Sequence, residues 1–359
     1  MPQIKENILL SPFTTIRLGG PAKFFCECFS EKDVVDSILF AREKKIPFLV
    51  LAGGSNIIFP DEGYNGLIIK IGIKGIVVKS EENDFLEIKS GAGENWDDFV
   101  KFAVSQSLAG VECLSGIPGT VGATPVQNVG AYGQEVKDSI VLVRALDVRT
   151  LEPTFFSNEE CQFGYRQSRF KEEDREKFII TEIIFRFSKN IQPEIKYPEL
   201  QKYISEKHNN IAFSDGNDKN SLKSKIELIR NSVLELRSKK SMLFDESDPD
   251  SFSCGSFFLN PVLSENEFRN LKSSYPSVPH FKTDNGFKIP AAWLIENSGF
   301  NKGYTKNGVG ISNNHSLALV NRGGTTKSLI TFSSDIQKTV FTKFSIKLHP
   351  EPVIISNMQ

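Results

Sequence analysis

The chain is poor in the residues and patterns from which most simple functional readings start. Its 359 residues include five cysteines, four histidines, three methionines and two tryptophans. Cys26, Cys28, Cys113, Cys161 and Cys254 form an odd set with no C-x-x-C pair, which argues against a disulfide framework and for a reducing compartment. His208, His280, His315 and His349 lie far apart, without the helical spacing of a ligand pair, so no metal site is expected. Neither sign of charge is in excess: 43 Lys and Arg stand against 44 Asp and Glu, a formal net charge of −1. With the basic residues scattered as well, no electrostatic footprint for nucleic acid exists. No run approaches the roughly 18 apolar residues that span a bilayer, and the start MPQIKENILLSPF lacks a basic region leading into a long apolar stretch. A cytoplasmic protein with no membrane or nucleic-acid partner is expected. The absence of a G-x-S-x-G elbow removes the simplest hydrolase.

Glycine, by contrast, is concentrated. Gly116–Gly133 reads GIPGTVGATPVQNVGAYG, five glycines beside Gln127, Asn128 and Tyr132. A connecting loop needs one or two such residues, so this density points to backbone N–H groups brought close to a ligand. A second turn, LAGGSN at Leu51–Asn56, follows an apolar run and precedes Ile57. Successive N–H groups there can form an anion nest, with Ser55 and Asn56 adding donors. Alone it could equally be a plain turn between strands, and it lacks the G-x-G-x-x-G spacing and following helix of a Rossmann turn.

With 39% hydrophobic and 24% charged residues, the chain is long enough for two or three globular domains. Periodicity predicts a helix at Glu31–Lys44 and a strand at Pro47–Leu51, then short strands at Gly66–Ile71, Ile76–Val78 and Phe85–Lys89. Asn95 is placed to cap a helix running to Gln106. Val141–Val148 and Phe178–Phe187 read as strands, the second buried on both faces. Lys202–Asn220 is polar and rich in Asn and Asp, and reads as a mobile connection or an insertion. Ser221–Lys239, Ala291–Asn297 and Thr325–Phe341 read as helices, with a further domain from about residue 245. The fold class is α+β.

Four more motifs complete the pattern: TIRLGGPA at Thr15–Ala22, FGYRQSRFK at Phe163–Lys171, SCGSFFLNP at Ser253–Pro261 and LHPEP at Leu348–Pro352. In identity and order, from about residue 11 onward, they resemble the UDP-N-acetylenolpyruvoylglucosamine reductases, the MurB family of flavoenzymes. The resemblance implies a three-domain α+β protein: two FAD-binding lobes of the vanillyl-alcohol oxidase-like (PCMH-type) fold, 1–76 and 77–235, and a substrate-binding domain, 245–347, with 348–359 returning to the active site. It implies FAD and NADPH as cofactors, a monomer, and reduction of the enolpyruvyl group of a UDP-sugar to UDP-N-acetylmuramate for peptidoglycan.

By the same resemblance, Gly53, Gly54, Ser55, Asn56 and Ile57 line the FAD diphosphate. Ser115, Gly116, Ile117, Gly119, Thr120, Gly122, Gly130, Ala131, Tyr132 and Gly133 surround the rest of the cofactor. Tyr197, Lys240 and Asn260 are implied substrate contacts. Arg166 and Glu351 match the two residues that stabilise developing negative charge, and Ser256 matches the acid that protonates the intermediate. Chemistry makes these types apt: a guanidinium grips a carboxylate with a fixed fork and fixed charge, a Glu that donates must be protonated, and a serine acid must be polarised by its neighbours. The sequence departs from relatives at Leu259, where lysine is common, at Gly310, where glutamine is frequent, and at Pro352-Val353, where some carry a basic residue; His315 matches a histidine the family often has. The competing readings are an oxidase of the same fold, which often attaches flavin through His or Cys, and a flavin-binding regulator without turnover. No histidine lies in the Gly-rich segments.

Overall fold

The structure of the chain, a computed structural model, describes residues 2–190, 192–207 and 219–356. It packs as two compact units, each described here by itself. The first comprises residues 1–8, 23–53 and 65–239, the second residues 9–22, 54–64 and 240–359. The expected first lobe, 1–76, is thus divided between them.

In the first unit, helix α1 (Glu31–Lys44) begins where the Ser30 hydroxyl accepts from the Asp33 N–H, and it ends at Lys45 in the left-handed region. Its buried face, Val34, Ile38 and Ala41, joins a core with the strands Pro21–Cys28 and Tyr64–Ile71. Those strands belong to a four-stranded sheet ordered Lys5–Leu9, Pro21–Cys28, Tyr64–Ile71, Phe48–Leu51, whose last two strands run parallel. Cys26 and Cys28 point to one side, their sulfurs 3.9 Å apart and fully buried, as alternate positions on a strand require.

A five-stranded antiparallel sheet follows, ordered Pro153–Ser157, Ile140–Asp147, Phe178–Ser188, Phe85–Gly91, Ile76–Glu81. The central strand Phe178–Ser188 is buried on both faces, as its continuous apolar run predicts. Helix α2 (Trp96–Ser105), capped by Asn95, lays Trp96 and Phe99 against Phe185, with the Phe99 and Phe185 rings 4.4 Å apart. The edge strand Pro153–Ser157 escapes periodicity because it is short and starts on proline.

Helix α3 (Pro198–Lys207) corrects the mobile connection expected from Lys202; residues 208–218 lie outside the described residues. Leu200 and Ile204, four apart on one face, pack on Ile229, Val233 and Leu236 of helix α4 (Lys219–Lys239). Polar residues between sparse apolar anchors hide this helix from a composition reading.

The second unit carries a four-stranded sheet ordered Ser253–Ser256, Ala318–Asn321, Val309–Ile311, Thr305–Lys306. A three-stranded sheet, Val262–Leu263, Gly286–Lys288, Phe281–Thr283, lies in the same unit, with helices α5 (Glu265–Ser274), α6 (Ala291–Glu296) and α7 (Thr326–Phe344). A capping box, Ser264 with Glu267, starts α5. Leu329, Phe332, Ile336 and Val340 of α7 recur at three- and four-residue spacing and fill the core with Leu294, Ile311 and Leu319. No helix among the described residues is long and apolar enough to cross a membrane.

Candidate active site

In the first unit the Gly-rich segment is pinned to the start of α2. Gly119 accepts from the Trp96 N–H at 3.1 Å, while Val121 and Gly122 donate to the carbonyls of Glu94 and Ala92 at 2.8 Å. The two glycine clusters meet here: a Cβ on Gly53 would stand 2.5 Å from the Gly119 Cα, so only glycine allows this backbone contact. Within this cradle Thr120 Oγ1 is buried and finds no hydrogen-bond partner among the described residues, although buried hydroxyls are ordinarily paired.

Three charged side chains hold the front of the segment. Asp97 receives a two-pronged ion pair from Arg230 of α4, both bonds 2.7 Å, and also accepts from the Gly116 N–H at 2.6 Å. Arg237, further along α4, donates to the Gly116 carbonyl at 3.2 Å. Gly116 is therefore clamped at both polar atoms of its backbone. Burial raises the Asp97 carboxyl, but Arg230 and the Gly116 N–H outweigh it and hold the group below the usual carboxylate range.

Beyond Asn128 a two-residue hairpin pairs Gly130 with Glu135 and Ala131 with Gln134. Tyr132 at its tip adopts φ 49° and meets Tyr197 edge to face at 5.5 Å. Burial pushes the Tyr132 phenol up to about 12, so it stays protonated at neutral pH. Arg166 lies at the third position of a turn closed by Gly164 and Gln167, with φ 56°, and its Nη2 donates to the Gly130 carbonyl at 2.8 Å. That turn position favours glycine or asparagine. An arginine held there is a strained choice that local structure does not call for.

In the second unit the SCGSFFLNP and LHPEP segments lie side by side. The Glu351 N–H donates to the Phe257 carbonyl at 2.8 Å, and the Leu259 N–H to the His349 carbonyl at 3.0 Å. The next strand, Val353–Ile354, runs parallel to Ile57–Ile58, and the Val353 N–H donates to the Asn56 carbonyl at 3.0 Å. Phe257, which follows Ser256, is thereby joined with Glu351 and the Asn56-Ile57 segment through one run of backbone bonds. Beside Ser256, burial pushes the Cys254 thiol up to about 12, which leaves it an inert apolar group.

Comparison with known proteins agrees along the whole chain. Residues 248–355 match the UDP-N-acetylenolpyruvoylglucosamine reductase C-terminal domain, and residues 22–150 match an FAD binding domain. The UDP-N-acetylenolpyruvoylglucosamine reductase of Thermobifida fusca is 38% identical over 98% of this chain and 97% of its own length. That of Flavobacterium johnsoniae is 35% identical over 98% of this chain and its own full length. The chain belongs to the UDP-N-acetylenolpyruvoylglucosamine reductase family. A crystal structure of the Thermus caldophilus reductase, 21% identical, superposes over 99% of this chain with a TM-score of 0.67, so the fold is shared as well. As a family member the chain is an FAD-dependent oxidoreductase of α+β fold, with an FAD binding domain followed by the family's C-terminal domain. FAD and NADPH are its cofactors.

The first unit fits FAD on its own evidence, because Thr120 offers a buried hydroxyl in need of a partner inside a cradle that a Cβ at Gly53 would fill. Of the expected site residues, the structure brings Gly53 against Gly119 and Thr120, holds Gly122 on Ala92 and Gly116 on Asp97, sets Arg166 against Gly130, and places Tyr197 on Tyr132. In the second unit it bonds Glu351 to Phe257, the residue after Ser256, and Asn56 and Ile57 to the strand after Glu351. Ser115 and Ile117 flank the clamped Gly116, and Gly133 lies against Lys196, beside Tyr197. Lys240 follows the last residue of α4, half-buried. Asn260 serves the backbone, since its Oδ1 accepts the Ala291 N–H at 2.8 Å and opens α6. Gly310 is explained too, since a Cβ there would stand 2.3 Å from the Tyr304 carbonyl oxygen and no glutamine fits this backbone. Asp97, Arg230 and Arg237 were not legible as site residues. The one available signal was a pair of arginines seven residues apart on an amphipathic helix, which ordinarily reads as a solvated face.

Proposed function

We propose that this chain reduces the enolpyruvyl double bond of UDP-N-acetylglucosamine enolpyruvate to give UDP-N-acetylmuramate for peptidoglycan synthesis, as a monomer in the cytoplasm. The observation that carries this reading is identity at 35–38% with reductases of this name over nearly the whole chain. Bound FAD supplies the relay that takes hydride from NADPH and delivers it to the terminal vinyl carbon. Functionally we keep the division into 1–76 and 77–235 for the cofactor and 245–347 for the sugar nucleotide, with 348–359 contributing Glu351.

The protein's own residues handle the charge that follows. Once the terminal carbon gains hydride, negative charge grows on the neighbouring carbon and its carboxylate. A fixed cation placed beforehand lowers the cost of that step most effectively where water is excluded. Arg166 is this cation; its bond to the Gly130 carbonyl fixes the direction of the guanidinium fork. Ser256 Oγ gives its proton to the carbanionic carbon and regains one afterwards. Glu351, whose backbone is held by Phe257, donates a hydrogen bond to the same developing charge as a neutral acid. Gly53, Gly54, Ser55, Asn56 and Ile57 hold the FAD diphosphate, and Ser115, Gly116, Ile117, Gly119, Thr120, Gly122 and Gly130–Gly133 the remainder. Tyr197, Lys240 and the amide nitrogen of Asn260 contact the substrate diphosphate.

An absorbance spectrum of the purified protein, taken before and after NADPH and again after anaerobic addition of the enolpyruvyl sugar nucleotide, tests this reading. Flavin bands that bleach and then return are expected. Flavin that only oxygen reoxidises would replace this reading with the oxidase, and a protein that cannot be loaded with FAD would end it.

A further inference from the structure

Asn128 is fully buried, adopts φ 44°, and uses its side chain to join two segments that are distant in sequence. Its Nδ2 donates both to Glu135 Oε2 and to the Gly164 carbonyl, each at 3.0 Å, and its Oδ1 accepts the Lys137 N–H at 3.2 Å. Glu135 is the residue paired with Gly130 in the hairpin, and Gly164 closes the turn that carries Arg166. The single amide group therefore spans the two ends of the contact between Arg166 Nη2 and the Gly130 carbonyl. A buried amide with this many bonds is expensive to place unless every bond is made. A core position with no further role would be filled more cheaply by an apolar group.

We infer that Asn128 is a positioning residue for Arg166: it fixes the Gly164–Gln167 turn against the Gly130–Glu135 hairpin and so aims the guanidinium at the substrate carboxylate. This rests on the role given to Arg166 above. A strained turn with φ 56° at an arginine has a lower-energy alternative whenever its flanks are released, so loss of the Gly164 bond lets the guanidinium swing away. A misplacement on the order of 1 Å costs up to about 10²-fold in rate. Lys171 Nζ also donates to the Arg166 carbonyl at 2.9 Å, which holds the backbone of the turn, whereas Asn128 sets that turn against the hairpin.

A double-mutant cycle on the FAD-loaded protein tests the inference, with Asn128→Ala, Arg166→Ala and the double variant. Turnover is measured with NADPH and the enolpyruvyl sugar nucleotide, and affinity of the oxidised protein for that nucleotide by titration calorimetry. Bound FAD per chain is counted for each variant. The expected result is a loss of roughly 10-fold to 10²-fold in kcat for Asn128→Ala, weaker nucleotide binding, and no further loss of either when Asn128→Ala is added to Arg166→Ala. Costs that simply add would overturn the inference while leaving Arg166 in its role, since independent sites add. An Arg166→Ala variant with unchanged turnover would instead remove the role of Arg166 itself. A second pair guards against a variant that fails to fold. Asn128→Asp loses both donated bonds and faces Glu135, whereas Asn128→Asp with Glu135→Gln restores the link to the hairpin and leaves Gly164 unbonded. Recovery of thermal stability without recovery of kcat supports the inference; recovery of both contradicts it.

Discussion

The two units fix their functional residues by different means. In the first unit side chains do it: Asp97, Arg230 and Arg237 clamp Gly116, and Asn128 ties the turn of Arg166 to its hairpin. The second unit relies chiefly on backbone, with Glu351 on Phe257, Leu259 on His349 and Val353 on Asn56, supplemented by the Asn56 amide donating to the Glu351 carbonyl at 3.5 Å. Side-chain clamps can be removed one at a time by substitution. A backbone ladder survives most substitutions and breaks only where an N–H is lost, so the second unit should tolerate side-chain change along it.

The sharpest contrast comes from the reacting groups. Ser256→Ala should leave FAD bound and NADPH reduction intact while slowing reoxidation by the enolpyruvyl nucleotide about 10²–10⁴-fold, the range for losing a general acid. Stopped-flow flavin absorbance resolves the two half-reactions, and an unaffected second one would take Ser256 out of the mechanism. Glu351→Gln should act on the same half-reaction by about 10²–10³-fold, comparable to one oxyanion donor. If flavin reduction slows instead, Glu351 serves NADPH.

Next in size are the cradle and the clamp. Gly53→Ala forces the backbone away from Gly119, and the expected outcome is protein purified with little FAD. Asp97→Asn leaves Arg230 short of its carboxylate, and with Asp97 about a third exposed the cost should be about 1–3 kcal/mol, read as a lower melting temperature. Because the folded-state Asp97 lies below its unfolded value of about 3.9, its contribution is present above pH ~4 and disappears as pH falls through the lower folded value. The wild type should therefore lose stability relative to Asp97→Asn on acidification below that point; parallel melting curves would show that the ion pair contributes nothing. The smallest effect belongs to Val353→Ala, which keeps the ladder and should stay within about 0.5 kcal/mol. Val353→Pro removes the N–H given to Asn56 and should be clearly worse. Equal effects would dismiss the ladder as the element that holds Glu351.

This division also governs how much could be read in advance. Helices with a cap and a regular apolar stripe, such as Glu31–Lys44 with Ser30 and Trp96–Ser105 with Asn95, were legible because local physics decides them. The Gly-rich cradle was legible because glycine density has few structural explanations. Helix Pro198–Lys207 was not, since its two anchors gain meaning only against Ile229 and Val233. The part Asn260 plays in opening α6, the reason for Gly310 and the clamp on Gly116 depend on residues far away in sequence meeting in space, and nothing in local pattern marks them.

The second unit is stitched from three stretches of chain, and its strand Val353–Ile354 pairs with Ile57–Ile58 across nearly three hundred residues. During synthesis, at the ribosome's pace of about 5–20 residues per second, the core around α1, α2 and the five-stranded sheet has every residue it needs long before Glu351 emerges. Ser256, the proposed general acid, is likewise made well ahead of the ladder that steadies its neighbour Phe257. A nascent chain therefore acquires the contact of Gly53 with Gly119 first and the strand that holds Asn56 last, so a chain released early by a stalled ribosome would lack the pairing that fixes both the Asn56-Ile57 segment and the stretch after Glu351.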